Sequence, residues 1–239
     1  MHERLVPSTM DIAHALAAEG APAGVLVVAD RQSVGRGRGG NRWASADGAG
    51  LWMTLVERPA DPRALGVLSL RLGLALAQAL APFVDQPLGL KWPNDVFAGD
   101  GKLAGILVEA RWRDAHVDWV AIGIGINRRA PIEWPGAAAV RDGVSRATLL
   151  QAVIPRVRAA AMYQDVLTDD ERAAWHDRDM ARGRRVRAPG VGIVAGIAAD
   201  GALLIAPDRD GIASAFRSGS LLFDDDRADI LAPRTSPPL

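Results

Sequence analysis

Residues 35–43 read GRGRGGNRW. They place three arginines and four glycines in nine positions of a chain whose 28 basic and 28 acidic residues cancel overall. Gly35, Gly37, Gly39 and Gly40 let the backbone turn its N–H groups toward a ligand. Arg36 and Arg38 can fork onto a carboxylate or a phosphate. The stretch reads as a loop that closes around an anion. A solvated turn, or an RNA-binding tract of the RGG type, satisfies the same composition. No Gly-Lys-Ser/Thr follows, so this is not a P-loop, and it does not open a helix as a dinucleotide-binding GxGxxG does.

Working outward, the apolar runs GVLVVA (24–29) and LWMTLV (51–56) flank the loop and read as buried strands. Before them, Ser8 or Thr9 caps a helix to about Ala18, with Ile12 and Leu16 one turn apart. After them, Leu65, Leu68, Leu72, Leu76 and Leu80 recur at helical spacing. They predict a helix over 63–81 that Pro82 ends. Arg71 and Gln78 make this stretch too polar for a membrane span and suit it to a buried helix.

Further on, KWPNDVF (91–97) carries a proline-fixed turn followed by Asn94 and Asp95, the signal of a hairpin or loop with a packing tryptophan. GKLAGILVE (101–109) places Lys102 at the entry of an apolar strand. That lysine is either a solvated strand edge or a charge aimed into a cleft, with Gly105 leaving room for a ligand. In HVDWVAIGIGIN (116–127), Ile122, Ile124 and Ile126 alternate with Gly123 and Gly125, so one strand face is apolar and the other bare. Residues 130–143 read as a loop, and helical patterns run from Ser145 to about Asp177.

Beyond Gly183, short β-prone runs punctuated by ADG, DRDG and SGS predict a small barrel of about four or five strands. The tail RTSPPL reads as disordered. The expected division is 1–182 and 183–239.

Composition narrows the function. Hydrophobic residues make up 49% and charged residues 23% of 239, which is ordinary for a soluble globular chain. Charge neutrality argues against a protein that coats nucleic acid. The absence of cysteine removes disulfides, thiolate metal sites and cysteine nucleophiles. No signal peptide is visible, so the expectation is a cytoplasmic protein without membrane contact.

Taken in order, STM, DRQSVGRGRGGNRW, KWPND, GKLAGILVE and GIGIN closely resemble the catalytic domain of biotin protein ligases over roughly residues 5–128. The resemblance implies an α+β fold, with a mixed β-sheet flanked by helices as in class II synthetases, followed by a small SH3-like C-terminal domain. It implies biotin and ATP as substrates, Mg²⁺ entering with ATP and no metal site of the protein's own. Biotinyl-5′-AMP would be the intermediate, and a lysine of a biotin carboxyl carrier protein the acceptor.

By the same resemblance, Lys102, Arg36, Arg38 and Asp95 carry the chemistry. Ser8, Thr9, Gln32, Gly35, Gly37, Trp43, Trp52 and Gly105 join Arg36, Arg38 and Lys102 around biotin. Asn94, Asn127 and Trp134 join Arg36, Arg38 and Lys102 around ATP. Met10 stands where the family commonly has asparagine, and Trp52 where some members carry tyrosine. Only seven residues precede Ser8, so a DNA-binding role is not expected, and the chain is expected to be a monomer or homodimer. Lipoyl or octanoyl transfer on the same fold and a non-enzymatic RNA-binding module are the rival readings.

Overall fold

The computed structural model describes residues 1–59, 61–131, 134, 136–163, 165–208 and 211–224. The polar tail read as disordered lies outside the described residues. Among these residues, twelve strands and four α-helices form two sheets with their covering layers. The first sheet uses β1 (His2–Val6), β2 (Leu26–Gln32), β3 (Gly50–Glu57), β4 (Leu88–Lys91), β5 (Asp95–Ala98), β6 (Gly101–Arg113) and β7 (His116–Asn127). Their spatial order is β1-β2-β3-β7-β6-β5-β4. β1 runs parallel to β2 and every other pair is antiparallel, so the sheet is mixed.

The alternation in the sequence decides which face each helix covers. Leu51, Met53 and Leu55 of β3 and Ile122, Ile124 and Ile126 of β7 point to one face and are buried. That face is covered by α2 (Leu65–Leu80), whose Leu68, Leu72, Leu76 and Leu80 are each at most 2% exposed. Burying one such leucine is worth about 1.5–3 kcal/mol. α3 (Arg146–Ala161) lies beside α2 and adds Leu149, Val153 and Val157 to the same core. The opposite face carries α1 (Thr9–Ala18), which packs Ala13 and Ala17 on Val27, Val56 and Trp119. Beyond α1 this second face is bare, and the functional cleft opens there.

The helix over 62–83 is long and apolar enough to cross a membrane, with mean hydropathy 1.7, but 72% of that window is buried inside the fold. Arg71 explains how a charged residue fits there. It is 3% exposed, yet its Nε and Nη2 hold both oxygens of Glu171 at 2.5 and 3.0 Å. Glu171 belongs to α4 (Asp169–His176) and closes a capping box with Thr168. Burial pushes the Glu171 carboxyl up, but hydrogen bonds from Arg71 and from the Thr168 backbone more than offset this, and the net direction is below the ordinary glutamate range.

The second sheet consists of β8 (Arg185–Ala188), β9 (Gly192–Ile197), β10 (Leu203–Ala206), β11 (Ser214–Phe216) and β12 (Leu222–Phe223), in the order β11-β10-β9-β8-β12 and wholly antiparallel. Its five short strands agree with the small SH3-like β-domain expected after Gly183. Trp92 Nε1 donates to Gly201 O at 3.1 Å and ties the two sheets together.

Two features differ from the sequence reading, and one agrees with it. β1 was not expected, because His2–Val6 is an edge strand with Leu5 58% exposed, held by main-chain pairing to β2 rather than by apolar burial. The KWPND turn joins β4 and β5, four residues each, in the antiparallel hairpin that its proline-fixed turn signals. The helical region after Ser145 is two helices, because the chain leaves α3 at Met162 and restarts at the Thr168 cap.

Replacing Arg71 by Ala leaves Glu171 without its partner and is expected to cost about 3 kcal/mol in chemical denaturation. Because the folded-state carboxyl is depressed, its contribution exists above the ordinary glutamate range and is lost as pH falls through and below it. The stability gap between wild type and Arg71→Ala should therefore narrow on acidification. A pH-independent gap would show that the ion pair does not carry the effect.

Candidate active site

Glycine alternation on β6 and β7 lays the floor of the cleft. In the register of the sheet, Gly105 faces Gly125, Gly125 faces Trp52, and Gly123 faces Thr54. No side chain rises from β6 and β7 at Gly105, Gly123 and Gly125, so something else covers them. Trp43, at the end of the arginine–glycine loop, lies across both glycines. A Cβ on Gly105 would come within 2.7 Å of the Trp43 ring, and one on Gly125 within 2.5 Å. Met10 covers Gly123 in the same way, its Sδ 2.7 Å from where a Cβ would stand. The bare strand face is thus a seat for side chains of α1 and the loop.

Lys102, half-buried at the start of β6, stands over the Trp43 ring with Nζ 5.0 Å from its centroid. The same Nζ is 2.8 Å from Asp95 Oδ1. Asp95 comes from β5 opposite Gly105, so the KWPND turn delivers the carboxylate to the lysine. Asn94 Nδ2 donates to Ile106 O at 2.7 Å and Ile106 N to Asn94 O at 3.0 Å, pinning that turn to β6. Among the described residues no group of three or more His, Asp or Glu could hold a metal ion.

At the other end, Ser8 Oγ caps α1 by accepting from Met10 N at 3.3 Å. Gln32 Oε1 accepts from Thr9 N at 2.8 Å and from Thr9 Oγ1 at 3.1 Å, and its Nε2 donates to Ser45 Oγ at 2.9 Å. The Thr9 hydroxyl also meets Thr54 Oγ1 at 2.8 Å. Gln32 thereby fixes the start of α1 against β2 and leaves the Ser8 and Thr9 edge facing the cleft.

The arginine–glycine loop needs glycine at two places, Gly39 (φ 67°) and Gly40 (φ 80°), where the backbone enters the left-handed region. Its arginines have protein partners. Arg36 meets Asp11 at 3.1 Å and Glu109 at 3.3 Å, Arg38 donates to Gly219 O at 2.5 Å, and Arg42 donates to Ser33 O at 3.0 Å.

Of the residues singled out in the sequence, Ser8, Thr9, Gln32, Arg36, Gly37, Arg38, Trp43, Asn94, Asp95, Lys102, Gly105, Asn127 and Trp134 line one cleft. Trp52 and Gly35 do not. Trp52 is 1% exposed and stands behind Trp43, edge-on at 6.4 Å. Gly35 is buried where a Cβ would strike Trp43 O at 2.4 Å; it allows two strands of the loop to approach and forms no wall. Both side-chain donors of Asn127 are engaged, by Lys102 O and Ala138 O at 3.1 Å each, so this residue holds the lysine's backbone. Arg36 is turned toward two carboxylates rather than toward Lys102.

The sequence reading missed Met10 as a floor cover, and it missed the segment 220–222, through which the second sheet enters the cleft. The SGS punctuation signalled only a turn, and nothing in it marked which surface the turn would meet.

Residues 2–127, slightly more than half of the chain, match the biotin/lipoate A/B protein ligase family. The chain belongs to that family. Among its curated relatives, the bifunctional ligase/repressor BirA of Bacillus subtilis (strain 168) is 36% identical over 169 residues, 70% of this chain and 51% of the relative. The biotin–[acetyl-CoA-carboxylase] ligase of Mycobacterium tuberculosis is 37% identical over 190 residues, covering 74% of this chain and 70% of that one. The chain spans about half the length, or less, of the two Bacillus ligase/repressors it matches. A biotin protein ligase from Aquifex aeolicus, solved in complex with biotin and ATP, superimposes with TM-score 0.76 at 27% identity, covering 93% of this chain and 98% of that one. The family match ends at Asn127, and the structural superposition, which covers 93% of this chain, extends into the second sheet.

The glycine floor has a direct test. Gly125→Ala puts a methyl group into the indole of Trp43, and the flexible loop should yield before the strand does. The expected result is a red-shifted, more quenchable tryptophan emission that is absent when the same change is made on a Trp43→Phe background. An unchanged emission spectrum would mean that Trp43 does not rest on the floor.

Proposed function

We propose that this chain is an ATP-dependent biotin ligase that forms biotinyl-5′-AMP and passes the biotinyl group to a lysine of a biotin carboxyl carrier protein. The observation that carries the reading is the Lys102–Asp95 pair, 2.8 Å apart beside the glycine floor. A biotin carboxylate must approach the α-phosphate of ATP, and both are anionic. Lys102 supplies the fixed positive charge that makes this approach possible in a partly desiccated cleft. A carboxylate oxygen attacks the α-phosphorus, the bond to the bridging oxygen breaks, and pyrophosphate leaves. Mg²⁺ enters with the nucleotide and not with the protein.

In the second half-reaction the neutral amine of the acceptor lysine attacks the acyl carbon, the acyl–oxygen bond breaks and AMP leaves. Asp95 is the carboxylate within reach of this centre, suited to hold Lys102 in place and to take the proton that the attacking amine loses. Ser8 and Thr9 face the end of the cleft that suits biotin's ureido ring, whose two N–H donors and one carbonyl ask for small hydroxyls. Trp134 stands at the nucleotide end. Ala137, three residues on, bridges to Lys102, and Ala137 N bonds Trp134 O at 2.9 Å. The three loop arginines, each engaged within the protein, leave the RNA-binding alternative without a free basic tract.

Two measurements test the reading. Lys102→Ala should lower biotin-dependent pyrophosphate exchange by roughly 10²–10³-fold while circular dichroism stays unchanged. Near wild-type exchange would remove Lys102 from the chemistry, and exchange driven by lipoate or octanoate instead of biotin would reassign the substrate. Trp134→Ala should raise the KM for ATP roughly ten- to a hundredfold, the expected loss for aromatic packing on a base, with biotin binding in the absence of nucleotide unaffected. An unchanged KM would return Trp134 to the surface.

A further inference from the structure

Arg36 is the first arginine of the loop, yet its guanidinium is not aimed at the reacting centre. It is held 3.1 Å from Asp11 on α1 and 3.3 Å from Glu109 on β6. Glu109 lies four residues along β6 from Gly105, about 13 Å away at 3.3 Å per residue, at the α1 end of the cleft. Glu109 is itself oriented. Its Oε2 receives His14 Nε2 at 2.9 Å, and His14 Nδ1 receives Trp119 Nε1 at 3.0 Å. An indole N–H only donates. His14 Nδ1 is therefore the acceptor and Nε2 carries the proton given to Glu109. The relay Trp119→His14→Glu109←Arg36 has one consistent direction and ends on the loop.

We infer that Asp11 and Glu109 form an internal clasp for Arg36 that sets the closed position of the glycine-rich loop, and so the seating of Trp43, before any substrate binds. The two carboxylates are positioning residues, acting through Arg36. Arg38 ties the same loop to Gly219, between β11 and β12, so the glycine-rich tract is fastened near both edges of the cleft. Without the clasp, ordering the glycines would fall to the substrate, because each ordered residue costs about 1–2 kcal/mol of backbone entropy. Binding of the first substrate would weaken, and the chemistry at Lys102 would not change. In naming biotin as that substrate, the inference rests on the function proposed above.

The test uses the full chain and the neutral isosteres Asp11→Asn and Glu109→Gln together, since both side chains are at least one-third exposed and neither change buries a charge. Two quantities are read: hydrogen exchange of the 36–43 amides without ligand, and KM and kcat for biotin in pyrophosphate exchange. Exposed ion pairs are individually weak, so the double variant should speed exchange and raise the KM for biotin by roughly three- to tenfold, with kcat within twofold. On an Arg36→Gln background the same pair of changes should add nothing to either quantity. Unchanged loop exchange in the double variant would overturn the clasp, as would a full additional loss on the Arg36→Gln background. If wild type shows no biotin-dependent exchange of pyrophosphate, the function reading fails, and amide exchange alone still decides the clasp.

Discussion

An indole lying on two glycines is the contact around which this cleft is built. Gly105 and Gly125 face each other across β6 and β7, and Trp43 occupies the space that two side chains would otherwise fill. The contact brings the arginine–glycine loop down onto the sheet. It also puts a π-face beneath the Lys102 ammonium and leaves Trp52 as a buried backing layer. Any side chain at either glycine would lift the ring, and the loop would lose its tryptophan anchor on the floor. The bareness of one strand face therefore seats the loop, while the isoleucines on the other face supply stability.

The charges follow a similar division. A chain of zero formal net charge gains its local positive potential from placement. Lys102 faces the cleft with a single carboxylate beside it, whereas Arg36, Arg38 and Arg42 are tied to acids or carbonyl oxygens. Arginine suits that tying role because its planar fork keeps several donors in fixed directions. Lysine suits the centre because a compact ammonium can shift between Asp95 and an incoming anion.

The two sheets meet at the same cleft. Trp92, one residue before the cleft's proline, donates to Gly201 across the junction, and Phe223 is stacked by both Lys91 and Arg184. Leu221 and Leu222 then line the cleft. A tilt of the second sheet would move Gly219 and with it Arg38, so the sheet beyond Gly183 belongs to the site's geometry and does more than end the chain.

Local pattern made much of this legible from residues alone. The leucine repeat of α2 and the Ser8 cap of α1 are short-range facts of propensity and burial. So is the isoleucine–glycine alternation of β7. Each is written within a single helix or strand. The ordered motifs also brought Ser8, Lys102, Asp95 and Trp43 to notice together. What the sequence could not decide is where a side chain turns when two long-range partners compete for it. Arg36 reads as an anion ligand, but folding brings it to Asp11 and Glu109. Asn127 reads as a nucleotide contact, but its donors go to the backbone carbonyls of Lys102 on β6 and of Ala138 in the loop beyond β7. Trp52 and Trp43 look alike in the sequence, but Trp52 sits on β3, buried behind Trp43, which the loop lays over the glycine floor. The arginine outcomes rest on pairings such as Arg36 with Glu109 and Arg38 with Gly219, 73 and 181 positions apart, and only the tertiary structure decides them.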